Sequence, residues 1–252
     1  MKCYGLTDKG IKRKANQDFF RIYASKRYIA SVVCDGMGGA KGGLTASRTA
    51  AITFMKTLRG YLSRMNPERT TTGDLERVMI NAVTEANTAV YEKAGTSDTL
   101  EGMGTTLVAF LYAGGKTIVI NTGDSRLYAS KGDKTKQVTK DHSFVQYLVD
   151  TGIITPTQAE HHPQKNIILK VIGVNEHAEC DVFTLSDYDS LLLCTDGLVN
   201  MISFEEISSV MESELDVESK VETLITLAND RGGFDNITAV IFQRKDENVS
   251  NG

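Results

Sequence analysis

Five aspartates of this chain stand at the ends of apolar, strand-like runs, most of them beside a glycine. Asp35 ends the run Tyr28 to Cys34 and precedes Gly36; Asp124 follows "IVINTG"; Asp196 follows "LLLCT" and precedes Gly197. Asp235 follows "RGGF" and immediately precedes "NITAVIF", and Asp18 sits in "RKANQDFF" at the mouth of another apolar segment. A carboxylate at the end of a core strand is costly unless something pairs with it. A single Asp-Gly is usually an ordinary turn, but five acids placed this way constrain the whole fold. If their strands lie side by side, the carboxylates meet at one rim, repel one another, and rise in pKa. A divalent cation removes the repulsion, and an all-oxygen donor set suits Mg2+ or Mn2+ with waters completing the shell.

The glycines beyond Asp35 fit the same picture. Gly36, Gly38, Gly39, Gly42 and Gly43 fall within residues 36–43. Gly36 would let its own carbonyl approach an ion, and Gly38 and Gly39 permit backbone angles closed to other residues. A nucleotide cradle is the weaker reading. The sixth residue counted from Gly36 is Lys41, not glycine, so the phosphate-binding loop pattern fails, and the dinucleotide pattern fails by one position.

A 252-residue chain with 41% hydrophobic residues and three prolines suits one compact domain, expected over residues 1–243 with a polar tail at 244–252. The net charge of −4 suggests no nucleic-acid partner. No apolar run approaches the ~20 residues needed to cross a bilayer. The N-terminal "MKCYGLTDKG" lacks a secretory apolar stretch, so a cytoplasmic location away from membranes is expected. Cys3, Cys34, Cys180 and Cys194 show no CxxC spacing and read as reduced thiols, with Cys34 and Cys194 packed as small apolar residues. The four histidines show no zinc spacing.

Periodicity predicts helices over 44–66 and from about Asp74 to Ala94, the latter ended by Gly95. Ser143 is placed to cap a short helix through Val149; Thr155 with Gln158, and Ser203 with Glu206, form capping boxes; a last helix runs roughly from Val217 to Asn229. Strand-like runs occupy 104–112, 117–123, 125–130, 190–197 and 236–243. Short links between successive strands favour antiparallel pairing, giving an α+β fold with sheets in the middle and helices outside.

Taken together, "RKANQD" (13–18), "VCDGMGG" (33–39), "GMGTTL" (102–107), "NTGDSRLY" (121–128), "TKDHS" (139–143), "HPQKNIILKVIG" (162–173), "LLCTDGL" (192–198) and "FDNITAVI" (234–241) resemble the metal-dependent serine/threonine protein phosphatases of the PPM (type 2C) class, especially bacterial members. The resemblance implies a four-layer α-β-β-α sandwich of two antiparallel sheets. It implies that Asp35 bridges two metal ions with the Gly36 carbonyl as a further ligand, and that Asp196 and Asp235 complete the first ion's shell. Asp124 with Asp196 is similar to the pair that holds a third ion, Asp18 lies near the second, and Arg13 matches the arginine that grips the substrate phosphate. Residues 143–170 correspond to a flap beside the site. Met37 stands where many eukaryotic members have histidine, so His142 or a water is left as the source of the leaving group's proton. Gln17 stands where some members have glutamate.

The implied activity is hydrolysis of phosphoserine and phosphothreonine in proteins by a water activated by Mn2+ or Mg2+, with no phosphoenzyme. The implied partners are phosphoproteins and a serine/threonine kinase sharing those substrates, with a monomer as the default. A catalytically inactive relative that binds phosphoproteins is the alternative; the presence of every expected ligand acid argues against it.

Overall fold

Alternating burial along the central strands sorts their side chains onto two faces. In β3 (Tyr28–Met37), Ala30, Val32 and Cys34 point into one core while Ile29 and Val33 point into another. A strand buried on both faces needs cover on both, and two packed sheets supply it. The computed structural model describes residues 1–66 and 69–244, so the expected tail lies, apart from Arg244, outside the described residues.

One sheet runs β1 (Lys2–Asp8), β11 (Ile237–Gln243), β10 (Ser190–Cys194), β7 (Arg126–Lys131) and β8 (Lys134–Gln137). The other runs β2 (Asp18–Ala24), β3, β5 (Leu107–Ala113), β6 (Lys116–Thr122) and β9 (Asp181–Leu185), with the two-residue β4 (Gly104–Thr105) paired to the end of β3. All pairings are antiparallel. Between the sheets lies a core containing Val33, Phe110, Leu193 and Phe242, in which the Phe110 and Phe242 rings stack at 4.9 Å.

Helices α1 (Gly39–Leu62) and α2 (Thr72–Ala94) cover the outer face of the second sheet through Phe54, Leu58, Met79 and Val83. On the first sheet, α6 (Phe204–Glu212) and α7 (Val217–Asp230) do the same through Ile207, Val221 and Leu224. The result is the four-layer α-β-β-α sandwich. Cys34 and Cys194 are buried free thiols, one in each outer core.

The predicted caps at Ser143, Thr155 and Ser203 accept from the backbone N–H three residues on. These begin α3 (Phe144–Asp150), α4 (Pro156–Glu160) and α6. Several boundaries differ: the strand expected over 190–197 stops at Cys194, and the helix expected to end at 66 ends at Leu62. Helix α1 starts at Gly39, not at residue 44, and strand β3 runs on through Met37 because Gly36 pairs with Thr105 and Met37 with Gly104. Asp35 therefore stands inside a strand rather than at its end.

Truncating Phe110 to alanine removes one of the two stacked rings that hold the sheets face to face. Phe110→Ala should lower unfolding free energy by about 3–5 kcal/mol, read as a lower denaturant midpoint with the slope unchanged. A loss under about 1 kcal/mol, the range of volume-conserving swaps, would mean that this inter-sheet contact is not a packed core.

Candidate metal centre

The five aspartates reach one end of the sandwich by four routes. Asp18 opens β2 and lies directly across from Asp35 in the β2–β3 register. Asp124 lies in the turn between β6 and β7. Asp196 is the first residue of the short helix α5 (Asp196–Val199), behind the N-cap Thr195, and Asp235 lies just before β11. An acid in a helix's first turn faces the positive end of the helix dipole.

Asp18 is the most buried of the set, 3% exposed. One of its oxygens accepts from the Thr195 hydroxyl at 2.8 Å and from the Thr238 hydroxyl at 2.7 Å; the other has no partner. Burial, offset by those two hydroxyls and reinforced by the charges of Asp196 and Asp235, lifts its carboxyl to about 7. Asp35 is held well above the carboxylate range by loss of solvent and by the charges of Asp18, Asp196, Asp124 and Asp235. Asp124 is pushed to about 8 by loss of solvent, then by Asp196 and Asp141. Asp196 is raised by loss of solvent and by Asp235, while a hydrogen bond with Asp35 and one with Asn200 work against the rise. The carboxylates thus lie within one another's fields.

Among the described residues, no group of three or more His, Cys, Asp or Glu side chains is drawn together closely enough to hold a metal ion as it stands. The reason is visible in their bonds. Asp18 is held by the two threonines, and Asp235 accepts from Arg13 at 2.6 Å. The donor chemistry nevertheless fits a hard dication: shielded oxygens of Asp18, Asp124 and Asp196 have no hydrogen-bond partner, and unpaired carboxylate oxygens of this kind are what Mg2+ and Mn2+ accept.

Arg13 is not a free surface charge. One of its terminal nitrogens donates to Asp235, and Asp35 and Asp196 add to the field that keeps it protonated. Its loop is clamped by Asn236, whose amide accepts from Gln17 N–H and donates to the Lys9 and Ala15 carbonyls at 2.8–2.9 Å.

The glycines beyond Asp35 meet two different requirements. Gly38 and Gly39 do take positive φ, 117° and 69°. Gly36 does not; a Cβ there would instead run into the Gly43 carbonyl, so helix α1 lies against the metal-centre strand backbone to backbone. Gln17 closes this corner by donating to the Gly39 carbonyl at 2.6 Å.

Both ring nitrogens of His142 meet groups outside the set of five aspartates. Its Nδ1 accepts from Gly123 N–H at 3.1 Å, and its Nε2 lies 3.2 Å from Asp181. It buttresses the turn that carries Asp124. Beside that turn Arg126 grips Asp141 with two nitrogens at 2.7–3.2 Å and meets the Tyr128 hydroxyl. A cleft of about 760 Å³ runs from Asp124 and Asp196 toward Gln146, Val149 and Lys165. The flap holding those three residues closes on itself where Ser143 bridges Ile168.

Sequence reasoning missed Thr195, Thr238, Asn236 and Asn200. Their signal was present: each stands one to four residues from a candidate acid, in or beside an apolar run that has no other use for a polar side chain.

Two antiparallel sheets between helix layers thus bring these aspartates into one another's fields, with Arg13 bonded to Asp235. The model of the protein phosphatase 2C family matches residues 11–237, and the chain belongs to that family. It is 35% identical over 241 residues to the serine/threonine phosphatase stp of Listeria innocua, spanning 94% of each. The crystal structure of serine/threonine phosphatase Stp1 from Staphylococcus aureus superposes with a TM-score of 0.87 at 34% identity, covering 97% of this chain and 95% of that one. The catalytic domain of serine threonine protein phosphatase PstP in complex with two manganese ions gives 0.80 at 33% identity, over 95% and 96%.

Asp18 and Asp124 have folded-state values of about 7 and 8, above the ordinary 3.8. Raised acids favour folding below their unfolded value and oppose it as pH climbs through the folded one. In chelator-treated protein the melting temperature should therefore fall as pH rises from about 3.8 to about 8, and Asp124→Asn should flatten the fall. A wild-type curve without this decline would show that the carboxylates do not share a field.

Proposed function

We propose that this chain hydrolyses phosphoserine and phosphothreonine in proteins, using Mn2+ or Mg2+ at the carboxylate cluster. The observation that carries the reading is the set of aspartates lying in one another's fields, three of them with an unpaired oxygen, with Arg13 in the same field. Asp35, Asp196 and Asp235 with the Gly36 carbonyl would hold the core ions, Asp18 would lie beside the second, and Asp124 with Asp196 would hold a third. When bound, the ions supply positive charge against the phosphate oxygens and make water acidic enough to attack phosphorus near neutral pH.

The chain's own residues do the rest. Arg13 commits one N–H to Asp235, so the remaining face of its planar fork can take two phosphate oxygens at once, a geometry lysine cannot copy. Asp35 and Asp196 keep any phosphate from binding in their ionised, metal-free state by plain repulsion. With the aspartates taken up as metal ligands and water as the attacking group, turnover would pass through no phosphoenzyme. With Met37 beside the cluster and His142 turned to Gly123 and Asp181, the leaving group takes its proton from solvent. Phosphoproteins are the substrates, and a serine/threonine kinase acting on the same proteins is the natural counterpart. We further read the protein as a cytoplasmic monomer without nucleic-acid or membrane partners; no helix among the described residues is long and apolar enough to cross a membrane.

Hydrolysis of a phosphothreonine peptide should stop on adding EDTA and return with excess Mn2+. Asp35→Ala should lower kcat/KM by about a hundredfold or more while the far-ultraviolet circular dichroism stays that of the wild type. Activity untouched by EDTA would overturn the metal reading, and a folded Asp35→Ala enzyme of full activity would overturn the site.

A further inference from the structure

Strand β2 sends its side chains two ways. Phe20 and Ile22 enter the core between the sheets, whereas Phe19 and Tyr23 pack toward the helix layer, with Arg21 exposed between them on the same face. Between this face and helix α1 lies a groove of about 590 Å³ whose walls include Arg21, Tyr23, Tyr28, Ile52, Lys56 and Arg59. Among the described residues neither Asp nor Glu lines it.

Three properties of the groove point to one kind of occupant. First, Arg21, Lys56 and Arg59 have no carboxylate within ion-pair distance among the described residues, although the chain as a whole carries a net charge of −4. Among the described residues only Arg13, Arg77, Arg126, Lys131, Lys140, Lys170 and Arg231 form such pairs, so the groove is marked by three free cations gathered on one face. Second, the arginines are held in place by rings: Arg59 lies 4.2 Å over Tyr23, and Arg21 lies 5.5 Å from the centre of Phe19. Ring stacking restrains an arginine side chain while leaving its N–H donors free. Third, β2 is the edge strand of its sheet. Its outward row of backbone N–H and C=O groups has no strand partner, and such an edge accepts an extended peptide as an added strand.

We propose that this groove docks an acidic, extended segment of a protein substrate, laid along the free edge of β2 with its carboxylates against Arg21, Lys56 and Arg59. Alternate side chains of the added strand face the cations, and the intervening ones face the apolar flank. That the partner is a substrate rests on the phosphatase reading above; the binding itself does not, and it can be measured without turnover.

The test uses a fluorescein-labelled decapeptide alternating Glu and Val, a Lys–Val counterpart, and an RNA oligonucleotide, each followed by fluorescence anisotropy in low salt. The Glu–Val peptide should bind the wild type and the Lys–Val peptide should not. The double variant Arg21→Glu, Lys56→Glu should weaken binding about tenfold or more, as should raising salt to about 0.5 M. Lys56→Glu alone changes a side chain that touches no ring, so its loss of affinity reads charge rather than packing; melting temperatures of all variants check the fold. Separately, a phosphothreonine peptide carrying the Glu–Val extension should show a lower KM than one without it, the advantage should vanish in the double variant, and turnover of p-nitrophenyl phosphate should stay the same. Absence of Glu–Val binding, equal binding by the Lys–Val peptide or by folded variants, or tighter binding of the RNA would each overturn the docking site. Binding intact with no turnover of any phosphoester would instead overturn the catalytic reading and leave the groove standing.

Discussion

Mutual repulsion among partly dehydrated carboxylates is the constraint around which the rest of this molecule is arranged. Asp18 and Asp35 sit opposite each other on neighbouring strands, a pairing of like charges that destabilises a sheet. The fold tolerates it by giving Asp18 two hydroxyl donors from the facing sheet, Thr195 at the end of β10 and Thr238 in β11. Those bonds run across the sandwich, so they fix how the two sheets meet at this end. Thr238 also meets Thr7 of β1 at 2.7 Å, which draws a third strand into the same contact. The cluster is therefore part of the architecture of the rim, and one oxygen each of Asp18, Asp124 and Asp196 is left without a hydrogen-bond partner.

How much of this the sequence showed depends on how deeply each element is buried. The strands read correctly are central ones: β5, β6, β7, β10 and β11, rich in β-branched and aromatic residues. The ones with no clear signal, β1, β8 and β9, are all edges of their sheets. An edge strand needs fewer apolar residues and often carries charge; the half-exposed pattern of "KCYGLTD" and the polar "KTKQ" of β8 follow from that. The helix caps were legible because a cap is a local bond between a side chain and a backbone group three residues away. The candidate acids were legible because a carboxylate beside an apolar run contributes nothing to packing and must be balanced by a partner charge or donor. Their partners were not, since Thr195 reaching Asp18 spans 177 residues and no local pattern encodes that.

The glycine-rich stretch shows a different limit. Glycine can be required by torsion or by proximity, and a sequence does not say which. Gly38 and Gly39 are required by torsion. Gly36, Gly42 and Gly43 lie where a Cβ would meet Gly43, Met103 and Gln17 respectively. The apparent loop is in fact the start of α1, and glycines inside a helix cost about 1 kcal/mol each relative to alanine. That cost is offset by letting the helix lie directly on β3 beside Asp35, which no larger residue would allow. Gly197 follows the same rule on the other side of the centre: a Cβ there would strike the Asn236 carbonyl, so α5 and the start of β11 bring Asp196 and Asp235 together only because residue 197 has no side chain.

Net charge conceals how this chain places its ions. Around the cleft Arg13 is engaged by Asp235, Arg126 by Asp141 and Lys140 by Asp150, while Asp18, Asp35 and Asp124 have no ion-pair partner among the described residues. On the α1–β2 face the reverse holds, and cations stand unpaired among aromatic rings. Each surface is electrostatically incomplete in the opposite sense. Charges that merely kept a protein soluble would be interspersed, because unlike neighbours lower the energy of both. Segregation costs stability in the free protein, and the cost is recovered only when something of opposite charge arrives. For the aspartates the proposed counterpart is a dication. For the groove it is the acidic peptide proposed above, since the free edge of β2 is already extended and short of hydrogen-bond partners on one side.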